Sequence, residues 1–171
     1  MYLRWIYFAL RSDLCKKKSI RKGILGLVLS LASVTAFSAT IEGFWHSIDD
    51  KTGEKLSIIE IRKDTNNEYN GTIVYRYPVP GAKALSHCTK CSGALKNKPI
   101  LGLQLLTGFK DDPNKANAYI DGRIVEPKSG RQYKGKGNLS SDGKCLRMRG
   151  YMGVSALGRT VVWIRTDKAT P

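Results

Sequence analysis

The sequence predicts an all-β domain, an eight-stranded antiparallel up-and-down barrel with one long loop between its third and fourth strands. Three observations lead there. Short runs rich in Ile, Val, Tyr, Trp and Thr recur along the chain, each bounded by Gly, Pro, Asn, Asp or Ser. After residue 40 no long stretch carries the 3.6-residue apolar period of a surface helix. A meander of eight strands exposes two edges until it closes, and closure into a barrel removes both.

The elements come in order. The first run is GFWHSI (43–48), ended by DDKTGE, and the second is KLSIIEIRK, ended by DTNN. In the third, EYNGTIVYRY, strict alternation puts Tyr69, Ile73, Tyr75 and Tyr77 on one face, which is expected to line the barrel. The long connection PVPGAKALSHCTKCSGALKNKP leads to ILGLQLLTGF (100–109), the fourth run, and then to the turn DDPNKA. The fifth, NAYIDGRIVE, places Asp121 and Arg123 on one face, most simply as a surface ion pair. RQYKGKGNL lies between PKSG and SSDGK, where Asp and Gly favour turns. CLRMRGYMG sets Arg147, Arg149 and Tyr151 against Leu146, Met148 and Met152 on opposite faces, and VSALG leads to the last run, RTVVWIRT.

Ahead of this domain, KKKSIRK precedes the uncharged run GILGLVLSLASVTAF and the small residues around Ser38 and Ala39. A basic segment, a short apolar segment and a small-residue exit describe a secretory signal peptide over residues 1–39. The apolar run falls short of the roughly 20 residues a membrane span needs. Thr40 is the expected mature start, and residues 40–171 form one barrel domain. The opening MYLRWIYFALRSDLC is unusual ahead of a signal peptide, and a true start near Leu14 would explain it. Export implies the periplasm.

Without residues 1–39 the chain keeps 22 Lys/Arg and 13 Asp/Glu, a net charge of +9 on 132 residues. Export argues against a nucleic-acid partner, for which a basic face is otherwise the footprint. An acidic small ligand or an anionic envelope surface remains, beside the plain reading of a solvated basic surface.

Gly43–Phe44–Trp45 on the first strand and Arg159 to Arg165 on the last resemble the lipocalin-like (calycin) barrels. In that family a G-x-W tryptophan sits at the closed end and an arginine from the final strand packs over it through a cation–π contact. The resemblance implies that Gly43, Trp45, Trp163 and Arg165, with Arg159 as the other candidate arginine, serve barrel closure. A closer resemblance covers nearly all of residues 41–167. GFWHSIDDKTGEKLSIIEI, YNGTIVYRY, CTKCSGALKNKPILGLQLLTGF, DGRIVEPKSGRQYKGKG and RGYMGVSALGRTVVWIR, in that order, are similar to the secreted bacterial family called domain of unknown function 2147. That implies a small exported lipocalin-like barrel and no established activity.

The motif HCTKC carries Cys88 and Cys91 three positions apart. In an oxidising compartment the two thiols are expected to pair, stiffening the loop locally. A thioredoxin-like role needs a helix N-terminus in a βαβ setting, which is absent, and haem attachment needs a His where Ser92 stands. Zinc needs four ligands, which His87 with either His46 or Cys145 would complete only if the fold gathered them. Cys145 is otherwise expected as a buried filler, with a partner for disulfide exchange or dimer formation as the other reading.

Arg149–Gly150–Tyr151 resembles the Arg-x-Tyr pair with which intracellular fatty-acid-binding proteins hold a carboxylate inside their barrel. Two such side chains on one face converge on a single acid through charge-assisted hydrogen bonds. Arg149, Tyr151 and Tyr75 are therefore the ligand-binding candidates, with Gly150 as a site for a bulge. The simpler arrangement turns the apolar face inward and leaves the arginines solvated. No nucleophile elbow, acid–base pair or phosphate-binding glycine pattern stands out. The expected protein is a monomeric, non-catalytic periplasmic barrel for a small acidic or amphiphilic ligand, without metal or cofactor. The alternatives are a redox or metal-dependent protein built on the HCTKC loop, and a basic module contacting the envelope surface.

Overall fold

In the computed structural model, which describes residues 40–78 and 85–171, eight strands succeed one another in chain order. They are β1 (Gly43–Ile48), β2 (Lys55–Lys63), β3 (Tyr69–Arg76), β4 (Gln104–Asp111), β5 (Ala118–Glu126), β6 (Arg131–Leu139), β7 (Cys145–Tyr151) and β8 (Arg159–Thr166). Each pairs antiparallel with the next, and β8 returns to β1, so the barrel is closed. The segment read as a signal peptide, with its alternative start near Leu14, lies outside the described residues.

The core is the barrel interior. Trp45, Ile59, Ile61, Leu106, Phe109, Leu146 and Met148 are all at most 2% exposed and belong to one apolar cluster. Bulky side chains fit because the wall opposite them lacks side chains. A Cβ on Gly122 or Gly135 would come within 2.2 or 2.4 Å of the Phe109 ring, and one on Gly71 within 2.9 Å of Leu106. Glycine in a strand thus marks a close approach.

The two ends of the barrel differ. Short turns join β2 to β3, β4 to β5 and β6 to β7 at one end, where residues 40–42 also enter. The longer β3–β4 and β7–β8 connections, with the β1–β2 and β5–β6 turns, lie at the opposite rim.

Three expectations need correcting. The fourth strand begins at Gln104, because Ile100 to Leu103 form a turn whose ends are buried and whose tip, Leu101 and Gly102, is exposed: Gly102 N–H donates to Ile73 O and Leu103 N–H to Ile100 O. Ile100 and Leu103 are apolar because they plug the core, not because they extend the strand. On β3 the alternation breaks, since Ile59 faces Ile73 while Ile58 faces Tyr75, leaving Val74 as an extra residue. Such a bulge re-aims the side chains beyond it. Trp45, Ile59 and Ile73 share an inward row, and Tyr75 falls into the outward row of His46 and Ile58. Gly150 carries no bulge, for the β6–β7 and β7–β8 registers run through it unbroken.

Candidate functional site

The closed end holds the closure motif. Gly43 has φ of 113°, a conformation that suits glycine, and a Cβ there would meet Arg165 Nη1 at 3.1 Å. Trp45 is fully buried and its Nε1 donates to Ile41 O at 2.8 Å. The Arg165 guanidinium lies 4.2 Å from the Trp45 ring. It also donates to Gly143 O at 2.6 Å, to Glu42 O at 2.7 Å and to Thr40 O. One cation therefore ties the entering chain, the β6–β7 turn and the tryptophan together. Burial lowers its pKa from the ordinary arginine value, an effect opposed by Tyr119 and Asp167. Trp163 is buried in the neighbouring row, facing Ser47 on β1 and Leu146 on β7. Arg159 does not join them: it lies at the opposite rim, ion-paired with Asp50.

At that rim, Cys88 and Cys91 form a disulfide with their Cα atoms 5.3 Å apart. The pair is docked on the wall, at 0% and 4% exposure. Cys88 Sγ lies 3.5 Å from Pro127 O. Gly130, at φ of 72°, has no room for a Cβ, which would sit 1.9 Å from Lys90 O. Leu105 and Val125, one residue out of step with the inward pair Leu106 and Ile124, are buried in the same cluster as the two cysteines. The loop thus seals an outer patch of β4 and β5, and a disulfide held this way offers little access for thiol exchange. His87 instead bridges to Pro99 and pairs with Ser86 Oγ. Cys145, expected as a buried filler, is buried at the start of β7 but is disulfide-bonded rather than a free thiol.

The three ligand candidates are not gathered inside the barrel. Lys136 pairs with Arg149 and Lys134 with Tyr151 on the outward face of β6 and β7, while Met148 packs inward beside Gly137. The arrangement with Leu146 and Met148 inward is the one adopted, while Met152, grouped with them by alternation, lies beyond the end of β7 and is exposed. Arg149 spends its donors on the β7–β8 connection and on β8: Nε on Ser155 O at 2.8 Å, Nη2 on Ala156 O at 2.8 Å and Nη1 on Thr160 Oγ1 at 2.9 Å. Tyr151 lies under Lys136 Nζ, 5.7 Å from its ring centre. Tyr75 packs edge-on against Tyr77, whose hydroxyl is 3.4 Å from His46 Nδ1.

Sequence reasoning missed how unevenly the charge is distributed. Residues 127–166 hold nine Lys/Arg and a single acid, Asp142, whereas residues 40–126 hold twelve and eleven. Nearly all the positive excess sits on β6 to β8. Counting charge strand by strand would have revealed it. The outward row Thr107–Arg123–Lys134–Tyr151 crosses four strands. Its β4–β5 end opens into a shallow depression of about 420 Å³, lined by Glu68, Asn70, Thr107, Lys110, Asp121 and Arg123. Asp121 and Arg123 form no ion pair, because Asp121 sits at φ of 61° in a β5 bulge that breaks their shared alternation.

Comparison with known proteins adds a family and a fold. A family model described as an uncharacterized protein conserved in bacteria, DUF2147, matches residues 43–165. No curated protein matches. Among solved structures the chain is similar to protein HP1028 of Helicobacter pylori, described as belonging to the lipocalin family. The two share 18% identity with a TM-score of 0.61, over 75% of this chain and 84% of that one. At that identity the likeness shows the lipocalin-like barrel fold.

Proposed function

Because the chain belongs to the DUF2147 family of bacterial proteins, we propose that it is an exported, non-catalytic binding barrel that recognises acidic groups with its outer wall. The observation that carries this reading is the division of the molecule by chemistry. Trp45, Leu106, Phe109, Leu146 and Met148 fill the interior, and Arg123, Lys134 and Lys136 stand outside. An amphiphile inside would have to displace that packing, whereas an acidic group outside meets cations at once. Within the core, Ser47 and Ser57 bond to each other at 3.1 Å. Asp49, Asp64 and Asp142 cap turns, and backbone or side-chain donors of those turns hold their carboxyls below the usual value. These groups serve structure. The KKKSIRK leader and the Cys88–Cys91 disulfide both support an oxidising periplasm.

The test separates face from net charge. Lys134→Glu with Lys136→Glu removes the same charge as Lys51→Glu with Lys115→Glu, and only the first pair lies on β6. At moderate salt the β6 double variant is expected to lose retention on immobilised heparin by about 30-fold, given roughly 1 kcal/mol for each of the two cations at an anionic surface. The control pair should lose much less. Equal losses would mean that heparin senses only total charge, and the reading would fall.

A further inference from the structure

The connection between β7 and β8, MGVSALG over residues 152–158, is the most apolar exposed segment among the described residues. Met152 is 64% exposed, Val154 62% and Leu157 83%. Three large apolar side chains on one short loop are unusual where nothing covers them. Their placement is fixed by Arg149, whose bonds to Ser155 O and Ala156 O hold the 3₁₀ turn Ser155–Leu157 while a third, to Thr160 Oγ1, ties it to β8.

The loop also leans on a particular surface. A Cβ on Gly158 would meet Gly150 O at 2.6 Å and Tyr151 Cβ at 2.8 Å, so the loop folds back against the outward side of β7. The neighbouring strand on that side presents Lys134 and Lys136, and Lys128 and Arg131 lie at the rim just before them. No ion pair within 4 Å joins any of these four cations to a described acid. Apolar tips beside such cations are the composition by which peripheral proteins hold an anionic lipid surface: the tips enter the headgroup boundary while the cations meet the lipid charge. A second copy of the chain fits poorly, since the same basic faces would oppose each other.

We infer that the 152–158 loop and the basic outer face of β6 form a docking surface for an anionic phospholipid bilayer, with Leu157, Val154 and Met152 inserted. This rests on the proposed recognition of acidic groups by the outer wall and names its partner. Because Arg149 already holds the loop in place, docking needs no refolding of the barrel.

The experiment is co-sedimentation of the processed protein with vesicles of phosphatidylglycerol and phosphatidylcholine in equal parts, against phosphatidylcholine alone, with heparin retention measured in parallel. Salt-sensitive binding to the anionic vesicles only is expected. Leu157→Asp, at a site exposed enough to leave the fold intact by circular dichroism, should weaken it at least about tenfold, the scale of losing one inserted leucine, while heparin retention stays near that of the native protein. Leu157→Trp should blue-shift its emission on anionic vesicles. Vesicle binding indifferent to Leu157→Asp would overturn the insertion. Heparin retention without vesicle binding would reject the bilayer and leave acidic recognition standing, and loss of both would remove the two readings together. A solution dimer broken by Leu157→Asp would assign the loop to self-association instead.

Discussion

Single residues at the closed end carry obligations that substitution should expose. Trp45 meets a cation on one face, a carbonyl at its indole nitrogen and core aliphatics around it. Trp45→Ala is expected to cost about 3 to 5 kcal/mol, the range of large aromatic truncations in a core, measured by urea unfolding. A second residue prediction concerns Tyr119. It is 3% exposed and edge-on to Tyr69 at 5.3 Å. Burial, then Tyr69 and Asp111, push its phenol from 10.0 up to about 12. A raised folded pKa means the fold prefers the neutral phenol, so this contribution is complete below pH 10.0 and is lost as pH rises towards about 12. Native protein should lose stability across that window, and Tyr119→Phe should lose less, which urea midpoints taken at several alkaline pH values would show. HCTKC named its own disulfide, and G-x-W with a final-strand arginine named Trp45 and Arg165. The sequence did not separate Arg159 from Arg165. They are six residues apart on one strand and end at opposite rims, a difference that depends on barrel geometry.

Elements succeed or fail here through their glycines and bulges. β5 and β6 give up side chains at Gly122 and Gly135 so that Phe109 of β4 can fill the centre. Gly122→Ala should therefore be destabilising by about 1 to 3 kcal/mol, as overpacking usually is. Adding Phe109→Leu should recover part of that loss, because residues in contact do not contribute additively. A double-mutant cycle by thermal unfolding measures the coupling. Additive losses would mean that Gly122 is needed for something other than Phe109. The bounds of β2, β6 and β8 were legible from period and turn residues alone. β4 was not, because Ile100 and Leu103 look like strand residues while acting as buried plugs at the two ends of a turn. Residues of a turn can plug a core as strand residues do, so apolar character at Ile100 and Leu103 does not by itself mark a strand.

For the whole molecule, the arrangement is a packed interior inside a wall charged on one side. A fluorescent fatty acid should find no displaceable site within such a barrel, and Arg149→Gln should leave that flat titration unchanged while lowering the melting temperature by freeing the β7–β8 loop. Saturable displacement weakened by Arg149→Gln would restore the interior anchor. By itself the sequence determined the strand count, the closure motif, the Cys88–Cys91 pairing and the family, because each is written in local spacing or in short motifs. Only the tertiary structure decided which face of each strand looks inward. Alternation says that Arg149 and Tyr151 share a side, but the same period of two fits either side of the wall. On β3 the extra residue Val74 then reverses the sense for Tyr75. The sign of every strand is set by its neighbours' packing, through Phe109 in the wall's glycine gaps and Met148 beside Gly137, and no single strand contains that information.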